Sequence, residues 1–150
     1  MPGQASLDSA EYYAHPRNAL WPIVLAHIVG TQPSHELGFE KDYKTRCNLL
    51  LKSHVGLWDV LAECEREGSL DSKIVRESAV PNTINGLLVE NESIKAIIFN
   101  GKTAEKLFRS HITLDTDLPQ HSLPSTSPAM ASLTLEEKFL AWNEILAQYR

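Results

Sequence analysis

Apolar and polar residues fall in blocks that already divide this chain into elements. The first ten residues, MPGQASLDSA, are small and turn-forming and carry no strand pattern. A polar and aromatic stretch, YYAHPRN, then leads into the apolar run ALWPIVLAHIVG. Proline is comfortable only where its missing N–H would be unpaired anyway, so Pro22 has to lie in the first turn of a helix. That helix starts close to Asn18, with Asn18 or Ala19 at the cap and Gly30 at the stop. The mixed segment TQPSHELGFEKDYKTRCNLLLKSH predicts a loop followed by a short helix. HVGLWDVLAECEREG is expected to pass from a short strand or turn into a helix, because Leu57, Val60, Leu61 and Cys64 have helical spacing. GSLDS follows as a loop. Residues 82–90, NTINGLLVE, predict one or two helical turns weakened by Gly86.

The clearest pattern lies further on. Residues 94–99, IKAIIF, form a short β-branched apolar run bounded by polar residues, which suits a buried parallel strand. Asn100-Gly101 turns the chain, and KTAEKLFRSH continues as a helix, giving half of a βαβ crossover. HSLPSTSPAMAS, with its prolines and hydroxyls, is too stiff for a flexible linker. Thr134 to Glu137 has the capping-box pattern, and Leu135, Phe139, Trp142, Leu146 and Tyr149 then make one apolar stripe. No internal repeat is visible. The pattern predicts one α/β layered domain over residues 1–150.

Composition changes this picture little. With 43% hydrophobic and 22% charged residues, the chain reads as an ordinary soluble domain. Its apolar runs are shorter than a membrane span and no signal peptide opens it, so a cytoplasmic address is expected. Cys47 and Cys64 lack metal-ligand spacing and read as two buried thiols. A net charge of −5 argues against general affinity for nucleic acid, while leaving room for a local basic groove.

Candidate chemistry is narrow. The phosphate loop, G-x-G-x-x-G, G-x-S-x-G and H-E-x-x-H patterns are all missing from the sequence, and no histidine pair has helical ligand spacing. Asn18 is the more interesting group. A helix N-terminus suits an anion or a polarised water, and an amide can accept from water while donating to a ligand. The plainer reading is an N-cap asparagine. His15 before Pro16 is either functional or a turn residue. Tyr12 and Tyr13 are either core aromatics or a stacking platform. LPSTSPA is either a surface connection or a grip for phosphates that positions nucleic acid without reading its sequence.

Taken in order, MPGQASL, YYAHPRNALW, GLWDVLAECEREGSLDS, IIFNGKTAEKLF and LPSTSPA resemble the uracil-DNA glycosylase superfamily. They are most similar to its hypoxanthine-DNA glycosylase (DNA-deoxyinosine glycosylase) branch, and A-H-P-x-N-x-x-W also resembles the mismatch-specific uracil glycosylases. The resemblance implies a three-layer αβα fold with a short central parallel sheet and a site at the carboxyl ends of the strands. It implies hydrolysis of the N-glycosidic bond of hypoxanthine or uracil in DNA, by base flipping and water attack at C1′. No cofactor and no metal are expected, and the implied partner is DNA containing a deaminated base, bound by a monomer away from membranes.

The implied roles carry over position by position. Relatives place a catalytic Asp, Asn or Glu near the first motif's proline; here Met1 stands there, and the role passes to Asn18. In relatives a central strand precedes that motif, so the resemblance implies a sheet short of its first strand and a chain truncated at its N-terminus relative to the family. Where uracil-specific relatives carry a base-binding histidine, this chain has Leu123; His121, two residues earlier, is expected to face the other way. Tyr13, His15 and Trp58 are the implied base-pocket walls, with Asp59 and Asn100 as polar base contacts. Their alternatives are core packing for Trp58, a helix cap for Asp59 and a turn for Asn100. Arg17, Lys102, Ser125, Thr126 and Ser127 are the implied DNA contacts. Two other functions compete with the enzyme: a catalytically inactive DNA-binding remnant, and a generic small-ligand α/β protein.

Overall fold

Pro22 fixes where the first long helix begins. In the computed structural model, which describes residues 1–68 and 73–149, helix α2 spans Leu20–Val29 with Pro22 in its first turn. Ala19 is its N-cap and Gly30 its C-cap, as the sequence predicts. Every residue from Leu20 to His27 is buried, as a helix apolar on all faces requires. The described residues fall into two units: Trp58–Leu123 form the first, and Gln4–Leu57 with the segment from Pro124 onward form the second.

The second unit wraps α2 in helices. It contains α1 (Gln4–Ser9), α3 (His35–Phe39), α4 (Tyr43–Lys52) and α7 (Leu135–Gln148), and the last three pack directly on α2. The opening ten residues therefore hold a short helix beside their turns. Residues 31–54 hold two helices where one was expected. Each has its own cap: Ser34 Oγ accepts from the Leu37 N–H at 3.1 Å, and Asp42 Oδ1 from the Thr45 N–H at 3.0 Å. Gly38 lets α3 approach closely, since a Cβ there would run into the Pro22 ring and stand 2.7 Å from the Pro22 nitrogen. Helix α7 starts with the full capping box between Thr134 and Glu137 and buries Phe139, Trp142 and Leu146, the middle of the expected stripe.

The first unit holds two small sheets. Strands β1 (Leu61–Glu63) and β2 (Val80–Pro81) pair antiparallel. Strands β3 (Ile97–Asn100) and β4 (Gln120–Leu123) pair parallel, in a register from Ile97↔Gln120 to Asn100↔Leu123. Helix α5 (Ile84–Glu90) precedes β3, and α6 (Lys102–His111) makes the crossover to β4. The mixed α/β class and the strand–turn–helix unit are as expected, although β3 begins later than residue 94. Its core gathers Ile84, Leu88, Phe99 and Phe108, with the two phenylalanine rings 5.0 Å apart.

The helix expected after Trp58 is a correction. Residues 61–63 are strand, because their backbone groups find partners far along the chain. The Val60 carbonyl accepts from the Asn82 N–H at 3.0 Å, and the Glu65 N–H donates to Ser78 Oγ at 2.7 Å. Helical spacing of four apolar residues did not outweigh pairing with β2. His121 is a second correction: residues two apart in a strand share a face, so it stands on the same side as Leu123. Cys47 and Cys64 are free thiols but only half-buried, which corrects the third. Of the expected loop GSLDS, the residues after Gly68 lie outside the described residues. Among the described residues, no helix is long and apolar enough to cross a membrane.

Filling the notch at Gly38 should be costly. We expect Gly38→Ala to lose about 1–3 kcal/mol through overpacking against Pro22, read as a lowered midpoint in thermal or urea denaturation. An unchanged midpoint would mean that α3 can move off α2 freely.

Candidate active site

The polar stretch before α2 is folded by its own hydrogen bonds. The Asn18 N–H donates to the His15 carbonyl at 2.8 Å, closing a turn over Pro16 and Arg17. His15 Nδ1 accepts from the Arg17 N–H at 3.1 Å, so the turn reading of His15 is realised in the structure. Asn18 is 8% exposed, and its Oδ1 accepts from the Leu20 N–H at 2.9 Å. Asn18, one residue before the N-cap Ala19, thus satisfies one of the free N–H groups of the first turn, as a capping side chain does. Capping does not use up the amide, because the oxygen keeps a second lone pair and Nδ2 donates to no group among the described residues. Arg17 is exposed and His15 half-buried.

Two of the sequence motifs meet here. The Ala19 N–H donates to the Thr126 carbonyl at 2.9 Å, which hooks the LPSTSPA loop onto the start of α2. Thr126 is fully buried, so its side chain packs inside while its backbone makes the junction. Ser125 and Ser127 are half-buried. Ser125 Oγ accepts from the Ser127 N–H and Ser127 Oγ from the Ala129 N–H, each at 3.2 Å, which leaves both hydroxyl protons able to point outward.

Helix α7 fixes this loop from below, a role that sequence reasoning missed. Trp142 Nε1 donates to the Pro124 carbonyl at 2.9 Å. Lys138 Nζ donates to the Met130 carbonyl at 2.7 Å and the Ser127 carbonyl at 3.3 Å. Lys138 is only 5% exposed, and that burial pushes its ammonium below the ordinary lysine range. Trp142 could have been found from its place in the apolar stripe. Lys138 could not, since nothing local distinguishes it from a surface lysine.

Tyr13 is half-buried with φ at +54°, a left-handed backbone that a tyrosine seldom adopts. Its ring lies 6.2 Å from that of Tyr12.

The remaining candidates belong to the first unit. Trp58 is 59% exposed, which overturns its core-packing alternative. Asp59 caps no helix; its carbonyl accepts from Asn82 Nδ2 at 2.8 Å. Asn100 ends β3 opposite Leu123, so the carboxyl ends of both parallel strands meet at this pair. Gly101 follows with φ +93° and ψ 159°, a conformation open to glycine, and its N–H donates to the Leu123 carbonyl at 3.0 Å. Lys102 is exposed as the first residue of α6. Leu123 itself is buried and brings no donor. Among the described residues no group of three or more His, Cys, Asp or Glu is arranged to hold a metal ion.

Comparison with known proteins adds the following. No family model matches the chain. It is 36% identical over 104 residues to a hypoxanthine DNA glycosylase of Methanosarcina acetivorans, covering 69% of this chain and 61% of that relative. It is 33% identical over 102 residues to a hypoxanthine DNA glycosylase of Methanosarcina barkeri, covering 68% of this chain and 60% of the relative. The match thus spans about three fifths of the length of these curated relatives. A solution structure from Methanosarcina acetivorans, provisionally assigned as a uracil DNA glycosylase, superposes with a TM-score of 0.74 at 28% identity. That superposition covers 99% of this chain and 85% of the other.

Removing the lysine beneath the loop should loosen it. Lys138→Met is expected to lose about 1–3 kcal/mol by stranding buried carbonyls. A lysine whose folded pKa lies below its unfolded value leaves the unfolded chain holding more protons through that window, so stability rises with pH there. The advantage of wild type over Lys138→Met should therefore grow as pH is raised from neutrality towards the ordinary lysine value of 10.5. Urea denaturation of both proteins across that range checks it, and a shrinking difference would contradict the assigned burial cost.

Proposed function

The chain belongs to the uracil-DNA glycosylase superfamily, beside its hypoxanthine DNA glycosylases, and on that footing we propose that it hydrolyses the N-glycosidic bond of hypoxanthine in DNA. The observation that carries the reading is Asn18: a buried amide at the start of α2, held through one oxygen lone pair and tied by its neighbour to the serine-rich loop. An enzyme acting on a base inside a duplex must swing it out of the stack, which favours a deaminated, weakly paired base. Ser125 and Ser127 offer hydroxyls to the backbone of the displaced strand, with Arg17 as an exposed charge beside Asn18. Thr126 serves by position, holding the loop to α2.

The chemistry follows from what an amide can do. Asn18 is too weak a base to deprotonate water, so the C1′–N bond breaks ahead of attack. Its electron pair leaves with the purine while the sugar becomes oxocarbenium-like. Water, oriented by Asn18, then bonds to C1′ and gives up its proton to solvent or to the departed base. Charge growing on the purine needs donors in place beforehand, the kind of stabilisation that preorganised groups supply. Leu123 offers none, which suits a slow enzyme with a wider base range, uracil included. Tyr13 and His15 serve as base-pocket groups in this reading; Trp58, Asp59, Asn100 and Lys102 hold their base and DNA roles on the resemblance alone. A monomeric base-excision repair enzyme of the cytoplasm, without metal or cofactor, completes the proposal.

The test uses a duplex oligonucleotide with one deoxyinosine, followed by alkaline cleavage at any abasic site. Wild type should release the base. Asn18→Ala should lower the rate on the order of a hundredfold and lose about 1 kcal/mol of stability with its cap. Asn18→Asp keeps the cap oxygen and loses the Nδ2 donor, so it separates the two functions: its melting temperature should hold while base release falls. Equal rates for all three proteins would remove Asn18 from the mechanism. Binding without release by wild type would favour the inactive remnant.

A further inference from the structure

The backbone around the Tyr13 kink is held by residues of α1, α2 and α4, outside the polar stretch. The Glu11 N–H donates to the Ser6 carbonyl at 3.1 Å, and the Ala14 N–H to Ser6 Oγ at 3.1 Å, so α1 holds both ends. Ser6 is buried. The Tyr12 N–H donates to the Tyr43 hydroxyl at 3.1 Å, while the Tyr12 carbonyl accepts from Trp21 Nε1 at 2.9 Å. Tyr43 comes from α4 and Trp21 from α2, and their rings meet edge to face, 5.9 Å apart.

Arg46, one turn along α4 from Tyr43, stands behind this lattice. It is 5% exposed, and its guanidinium carbon lies 4.8 Å from the Trp21 ring, 5.0 Å from Phe39 and 5.5 Å from Tyr43. Its Nη2 reaches Glu11 at 3.4 Å, whereas Nε and Nη1 are buried with no hydrogen-bond partner among the described residues. A buried cation with unpaired donors is costly. Three ring faces and one carboxylate offset that cost, and they do so only while the rings and Glu11 keep their places. Burial also pushes the Tyr43 phenol upward from its ordinary value.

We propose that α4 is a positioning element for the reaction: Tyr43 and Arg46 lock Glu11 and Tyr12, and thereby hold Tyr13 in its left-handed conformation ahead of Asn18. A left-handed tyrosine costs energy and persists only where its neighbours over-determine it. Ser6, Trp21, Tyr43 and Arg46 supply that constraint. The lock acts through geometry and touches no substrate. It rests on the glycosylase reading above.

Tyr43→Phe is the decisive variant, because it keeps the ring against Trp21 and Arg46 and removes only the hydroxyl that Tyr12 uses. Two measurements are made on the full chain: amide hydrogen exchange at Tyr12 and Tyr13, and single-turnover base release with deoxyinosine DNA. We expect the Tyr12 amide to exchange about tenfold faster. The single-turnover rate should fall about fivefold with unchanged DNA affinity, and the melting temperature should move by no more than about 3 °C. Arg46→Lys should reproduce the loss, since a point charge cannot lie flat against three rings. Unchanged exchange at Tyr12 would overturn the lock, and unchanged turnover with faster exchange would overturn its part in the reaction. If wild type releases no base, the function proposed above falls, and the lock is judged on Tyr12 exchange alone.

Discussion

A helix that is apolar on every face has to be surrounded, and α2 sets this requirement for its whole unit. Buried from Leu20 to His27, it draws α3, α4 and α7 around it. Pro22 pins its first turn, and the missing side chain of Gly38 sets how near α3 can come. The polar stretch before it cannot escape that environment. Asn18, Ala19 and Thr126 are buried because they sit at the mouth of a buried helix, and so their hydrogen bonds have to be made within the fold.

This explains why the threshold of α2 carries so many polar groups. Its residues serve as a cap, a turn and a docking point for the serine-rich loop at once. Asn18 illustrates how one amide can hold the chain at the helix start and still keep a free end. The same buried turn that needs its oxygen for the Leu20 N–H also holds its nitrogen at the helix start, where the positive end of the dipole lies.

Legibility followed the range of the forces involved. Helices α2, α6 and α7 were readable because proline, a tight turn and a capping box act within a few residues. The turn reading of His15 was readable for the same reason. Strand β1 was misread, because the apolar spacing of Leu57 to Cys64 fits a helix and only the distant segment around Ser78 to Asn82 makes it extended. The paired caps of α3 and α4 were missed as a pair, although Ser34 and Asp42 were both visible. The sequence offers Thr126 as part of a surface connection or of a phosphate grip, and its burial follows from a partner, Ala19, at the other end of the sequence.

The sequence by itself determined the family resemblance, the α/β class and the start of α2, all from local chemistry and ordered motifs. Tertiary structure alone decided that the loop after Leu123 docks on Ala19, that Lys138 and Trp142 hold it there, and that Arg46 lies among three rings behind Tyr12. Those facts depend on which distant segments share the space around α2. Residue type announces a hydrogen-bonding capacity; packing alone names the partner.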